Sequence, residues 1–129
     1  MIKEKIIPIK TYFDVCTDKT QIYKENRHKS GVYRWYNMIT KESYVGSSVN
    51  LTDRMYSYLS YRYLQYQLLR YNSLIYKSLL NNNHNNFRLD ILEYSQRDLL
   101  KSREQYYINI LNPKYNISKN IYQVIKRNK

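Results

Sequence analysis

Gly31-Val32-Tyr33-Arg34-Trp35-Tyr36 and, a few positions on, Ser43-Tyr44-Val45-Gly46-Ser47 decide how this chain reads. Both runs are rich in aromatic and β-branched side chains, which pack well on a pleated surface, and a short polar connection around Thr40-Lys41 joins them. Two such runs so close together predict an antiparallel hairpin. If the connection has an even number of residues, odd positions of the first strand share a face with even positions of the second. Tyr33 and Trp35 then stand beside Tyr44 and Gly46. An odd connection would separate the two tyrosines onto opposite faces.

Beyond the hairpin, Asn50 or Ser48 is placed to cap a helix in which Leu51, Met55 and Leu59 recur at every fourth residue. Arg54 and Tyr58 are also four apart and form a second stripe, one residue round from the apolar one. Leu64, Leu68, Tyr71, Ile75 and Leu79, spaced by threes and fours, predict one further helix, closed by the asparagine-rich loop of residues 81–86. Phe87, Leu89 and Ile91 alternate with Arg88 and Asp90, the pattern of a third strand. A last helix runs from about Asp98 to Leu111 and stops at Asn112-Pro113. Residues 1–29 mix short apolar runs with charges and read as an extension that precedes or packs against the domain. The expected class is α/β of the α+β type, a small three-stranded antiparallel sheet flanked by helices.

The last helix holds the most informative single residue. At roughly 100° per residue, Leu100, Tyr107, Ile108 and Leu111 define a buried arc, and Glu104 falls inside it. A carboxylate on an apolar face must be paired with a base such as Arg54 or Arg103, be protonated, or hold a cation. Asp98 and Glu93, at the ends of their elements, read as caps or solvated groups.

Composition sets the outer limits. The chain has 129 residues, enough for one compact domain but not two. Lysine and arginine total 22 against 10 acids, a formal charge of +12, which suggests a polyanionic partner. Yet Phe, Tyr, Met, Ile, Asn and Lys fill 62 of the 129 positions, and these are the residues of A- and T-rich codons, so part of the charge reflects base composition. With two glycines, flexible linkers and Gly-rich nucleotide loops are excluded. No apolar run approaches the roughly 18 residues of a spanning helix, so a membrane is not an expected partner. The N-terminus resembles neither a signal nor a transit peptide. Cys16 is the only cysteine, and His28 and His84 are isolated, which excludes an internal disulfide, a thiolate zinc cluster and a nucleophilic triad. Acids are too scarce for paired-carboxylate glycosidase chemistry or a two-metal centre, while one metal on one glutamate, with an arginine and tyrosines around it, stays open beside a Glu104 paired with a base.

Taken together, these residues resemble the GIY-YIG endonucleases. Gly31-Val32-Tyr33 and Tyr44-Val45-Gly46 form the paired signature, with Val32 and Val45 in place of the isoleucines that name the family. Arg54, in Asn50-Leu51-Thr52-Asp53-Arg54, occupies the place of the family's catalytic arginine, and Tyr58 that of its histidine or tyrosine. Glu104, in Arg103-Glu104-Gln105-Tyr106-Tyr107, looks like the metal-binding glutamate, and Asn116, after Asn112-Pro113-Lys114-Tyr115, like the terminal asparagine. The usual Asn-Gly of the hairpin turn is here Thr40-Lys41, and the Tyr-Gly before the third strand is replaced by the asparagine run. Residues 30–35, 43–50, 91–94 and 103–117 resemble most the homing endonucleases encoded in group I introns of fungal mitochondria, in keeping with the A/T bias.

The resemblance implies a catalytic domain over residues 30–118, between the extension of residues 1–29 and a basic tail of residues 119–129. It implies a metal-dependent endonuclease acting on double-stranded DNA. By the same resemblance Tyr33 would be the general base or water-orienting group, Tyr44 and Tyr58 its partners, and Arg54 the phosphate ligand, while Glu104 would hold a single Mg2+ or Mn2+ and Asn116 would brace the site. An organelle-encoded mitochondrial protein would need no transit peptide. Such relatives usually continue into small DNA-binding modules, for which residues 119–129 are too short. The alternatives are therefore a non-cutting relative that binds intron RNA, or a catalytic-domain fragment. Trp35, Tyr36, Tyr61, Tyr63 and Tyr66 read as packing or base-stacking residues. Arg34, Arg62, Lys77 and Lys114 read as backbone-tracking or solvated cations.

Overall fold

The computed structural model describes residues 6–122, so most of the basic tail lies outside the described residues. β1 (Lys10–Tyr12), β2 (Gly31–Asn37), β3 (Ser43–Ser48) and β4 (Phe87–Tyr94) form one antiparallel sheet in the order β1-β4-β2-β3. The sheet therefore has four strands rather than the expected three. The additional strand, β1, places Thr11 opposite Asp90 and buries Tyr12. Three residues are too few to show a period-two pattern, and only the free edge of β4 makes them a strand.

The hairpin has the even parity that brings the tyrosines together. Tyr33 pairs with Gly46 and Trp35 with Tyr44. Asn37 starts the turn: its Oδ1 accepts from the backbone N–H groups of Ile39 and Thr40, and Lys41 takes a left-handed conformation at φ 69°. A bulge in β4 changes the register between Val32 and Tyr33, so that Val32 faces Glu93 and Tyr33 faces Ile91.

The helices are α1 (Lys19–Glu25), α2 (Leu51–Tyr58), α3 (Tyr61–Leu68), α4 (Leu74–Asn82) and α5 (Leu100–Leu111). Asn50 caps α2 by accepting from the Asp53 N–H. The single helix expected across Leu64 to Leu79 is in fact two. Backbone bonds from Leu69 and Arg70 close α3, and the Ser73 hydroxyl caps α4 by accepting from the Tyr76 N–H. The break turns Leu64, Ile75 and Leu79 all into the core and leaves Tyr71 exposed, although its spacing fitted the apolar arc.

Two apolar layers cover the sheet. Tyr33, Trp35, Leu89 and Ile91 pack against α1 to α4 through Ile22, Met55, Tyr58, Leu64 and Leu79. Val32, Val45 and Leu92 pack on the other face, under Leu100, Tyr107 and Ile108 of α5. Among the described residues no helix is long and apolar enough to cross a membrane.

Candidate active site

The site wraps around β3, the strand at the free edge of the sheet. Tyr33, Tyr44, Arg54 and Tyr58 stand on the face covered by α2, while Ser47 points to the opposite face and meets Glu104 of α5. The oxygens of Tyr33 and Tyr58 lie 2.8 Å apart, and the Tyr33 and Tyr44 rings have centroids 6.5 Å apart. The Arg54 guanidinium carbon sits 4.3 Å from the centre of the Tyr58 ring, as the i, i+4 spacing requires, and its Nη2 donates to Tyr76 Oη at 2.6 Å.

The two glycines have a steric role here. A Cβ on Gly46 would lie 2.5 Å from Tyr33 Oη and 2.9 Å from Tyr44 Cε2, so the Tyr33 phenol crosses the strand only because no side chain stands there. A Cβ on Gly31 would lie 2.5 Å from the Glu93 carbonyl oxygen. Neither glycine has a positive φ, so close approach is what requires them.

Glu104 is 8% exposed and accepts a hydrogen bond from the Ser47 hydroxyl. The bases that could have paired with it do not. Arg103 bonds Glu93 at 2.7 and 2.8 Å, which makes Glu93 an ion-pair partner rather than a solvated cap. Among the described residues neither Arg54 nor Glu104 belongs to an ion pair. The two unpaired charges line one cleft of about 860 Å³, together with the three tyrosines, Tyr76, Lys101 and Asn116.

Burial dominates the electrostatics. It pushes the Tyr33, Tyr44 and Tyr58 phenols above their ordinary value, and the nearby Arg54 charge offsets this only in part. Burial also raises the Glu104 carboxyl, against the Ser47 hydrogen bond and the nearby Lys101 charge. For Arg54 burial opposes the charge, but the surrounding Tyr58, Tyr33 and Tyr76 outweigh it and lift its pKa. The guanidinium therefore stays charged and the phenols stay neutral near pH 7.

Asn116 braces the edge of the sheet. Its Oδ1 accepts from the Val45 N–H and its Nδ2 donates to the Val45 carbonyl, both at 2.9 Å, so one side chain occupies both main-chain groups of Val45. The two side chains that bond the central charges, Ser47 and Tyr76, are not singled out by the sequence. Ser47 was legible in principle, because strand alternation puts it on the Val45 face, toward α5. Tyr76 was not, because the break between α3 and α4 decides where it points. Among the other candidates, Trp35 is a core residue and Arg34 is bound to the buried Asp90, whereas Arg62 and Lys77 are exposed.

The GIY-YIG catalytic domain family matches residues 29–116. Two solved structures are similar. One is the catalytic domain of intron endonuclease I-TevI in a glutamate-to-alanine mutant, 30% identical, covering 70% of this chain and 95% of that one with a TM-score of 0.57. The other is the catalytic domain of homing endonuclease I-TevI, 29% identical, covering 70% of this chain and 99% of that one with a TM-score of 0.56. No curated protein matches. With the paired strands, the arginine stripe and the inward glutamate around one cleft, the chain belongs to the GIY-YIG family of catalytic domains and is a nuclease.

Proposed function

We propose that the protein is a metal-dependent DNA endonuclease that hydrolyses phosphodiester bonds, encoded in a group I intron and acting in mitochondria as a homing enzyme. The observation that carries the chemistry is the pair of unpaired charges. A largely buried guanidinium without a carboxylate, and a buried carboxylate without a base, cost free energy unless ligands of opposite sign complete them. A phosphate diester and a divalent cation do so together. The intron and mitochondrial parts rest on the motif wording and the A/T-biased composition.

Arg54 binds the non-bridging phosphate oxygens through its planar fork. Glu104 is the residue that would hold Mg2+ or Mn2+, with the Ser47 hydroxyl fixing one of its oxygens. Among the described residues no group of three or more His, Cys, Asp or Glu side chains could hold a metal, so Glu104 would be the carboxylate the protein offers the ion. When bound, the ion supplies charge neutralisation at the phosphoryl and leaving oxygens. Tyr33, kept neutral by burial, orients the attacking water through its oxygen, with Tyr58 and Tyr44 beside it. A free phenol is ionised to only about one part in a thousand at pH 7, so orientation rather than a resident phenolate is its role. Asn116 holds Val45 and, through β3, the spacing between the two halves of the site.

Plasmid DNA incubated with Mg2+ tests this. The wild-type protein should nick or linearise it, and Glu104→Ala and Arg54→Ala should each lose about 100-fold or more. Equal cutting by all three would overturn the site. Salt-sensitive binding without cleavage at any Mg2+ concentration would favour the non-cutting alternative. Cleavage mapped on an intronless copy of the host gene tests the homing role.

A further inference from the structure

From Arg54 to Leu89 the sequence contains no aspartate or glutamate, although the chain has 10 acids elsewhere. This stretch builds α3, the bend after it, and α4, and it exposes Arg62, Arg70 and Lys77. None of the three belongs to an ion pair among the described residues, whereas Arg88 near its end is neutralised by Asp90. A/T-biased codons enrich lysine and asparagine. They do not clear carboxylates from one helical hairpin.

Two of the three cations, Arg70 and Lys77, are held by neutral groups beside the cleft. Arg62 and Tyr66 stand one turn apart on α3, and Arg70 follows in the bend just after it. Arg70 Nη1 donates to Tyr66 Oη at 3.1 Å, and Lys77 Nζ donates to Asn72 Oδ1 at 2.7 Å, tying the start of α4 to the bend. Arg70 and Asn72 also line the cleft that contains Arg54 and Glu104. The exposed rings of α3 already have partners: Tyr61 lies edge-on to His84 with centroids 5.1 Å apart, and the Arg70 guanidinium sits 5.9 Å from the Tyr66 centroid. Rings so engaged are poor platforms for unstacked bases, and the surface suits a phosphate backbone.

We propose that the acid-free α3–α4 hairpin is the surface on which duplex DNA lies, with Arg62, Arg70 and Lys77 each meeting a backbone phosphate beside the cleft. The inference rests on the nuclease reading for what happens to the bound strand, but its test reads binding alone.

The test measures anisotropy of a fluorescent 30-base-pair duplex in EDTA over a salt series. The variants are the triple Arg62→Ala/Arg70→Ala/Lys77→Ala and a control, Lys19→Ala/Lys24→Ala/Arg27→Ala, which removes the same charge from in and around α1. The hairpin triple should bind on the order of 10- to 100-fold more weakly at 0.1 M salt, with a log–log salt slope shallower by about 2.7. The control should lose much less. All these side chains are exposed, and circular dichroism melting checks that each variant folds. Arg70→Gln alone should flatten the slope by about 0.9. An unchanged slope for the hairpin triple, an equal loss in the control, or a loss seen only with single-stranded DNA or with RNA would each overturn the proposal. If the hairpin triple behaves as expected but the wild-type protein never cuts with Mg2+, the nuclease mechanism fails and the binding surface stands.

Discussion

Arg54 Nη2 donates to Tyr76 Oη at 2.6 Å, so the guanidinium presented by α2 is held by a phenol from α4. Among the described residues this is the only hydrogen bond Arg54 makes through its side chain, which leaves its other N–H groups available to a ligand. Tyr76→Phe removes the acceptor and keeps the ring that packs against Tyr58 at a centroid distance of 5.7 Å. A hydrogen bond to a charged group contributes about 1.5–3 kcal/mol, so single-turnover cleavage should slow by about 10- to 100-fold. In an Arg54→Ala background the same change should have little further effect, because the two residues act as a unit. Additive losses in the double variant would show that Tyr76 acts independently of Arg54.

Gly46→Ala puts a methyl group where Tyr33 Oη now lies, 2.5 Å from the new atom. The strand is paired and cannot move away, so Tyr33 must, and its bond to Tyr58 breaks. Overpacking of this kind should cost about 1–3 kcal/mol in urea unfolding and remove cleavage altogether. Retained activity would mean that the Tyr33 phenol is not needed where it stands.

Glu104 gives the fold a pH dependence whose sign follows from its raised pKa. The folded state holds the proton more tightly than the unfolded state, so stability is greatest below the ordinary carboxylate pKa. It falls as pH rises through the folded value. Glu104→Gln should therefore melt higher than the wild-type protein at pH 7, and the difference should shrink toward pH 4. Added Mg2+ should raise the melting temperature of the wild-type protein at pH 7 and not that of Glu104→Gln. Identical responses to Mg2+ in both proteins would count against Glu104 as the metal ligand.

Asn116→Ala removes two hydrogen bonds from the main chain of Val45 and uncovers the edge of β3. The expected loss is about 1–3 kcal/mol of stability, with faster amide exchange at Val45. Asn116→Asp keeps an acceptor for the Val45 N–H but sets a carboxylate against the Val45 carbonyl, and should be at least as damaging. If Val45 exchange is unchanged in both, the brace does not depend on Asn116.

Much of this arrangement was readable from local pattern. Strand alternation puts Tyr33 beside Gly46 once the turn is even, a parity the structure supplied, while the i, i+4 spacing put Arg54 against Tyr58 and helical phase turned Glu104 inward. Failures came where a short element takes its form from a distant neighbour. Lys10–Tyr12 is a strand only because β4 offers it an edge, and the helix expected across Leu64 to Leu79 is two helices because backbone bonds from Leu69 and Arg70 close the first and the Ser73 hydroxyl caps the second. The expectation of Glu93 as a cap or solvated group fails because the β4 bulge, which sets it opposite Val32 and within reach of Arg103, has no sequence period.

By itself, then, the sequence determined the two strands, the place of both glycines within them, and the residue types that carry the chemistry. Periodicity reports which way a side chain faces, and that is a property of a few neighbouring residues. Only the tertiary structure decided that the site straddles an edge strand, with the tyrosines and Arg54 on one face and Ser47 and Glu104 on the other. It also decided that Tyr76 holds Arg54 and that neither central charge has an ion-pair partner among the described residues. These are contacts between elements far apart in the chain. They depend on how the two layers close over the sheet, which no local spacing encodes.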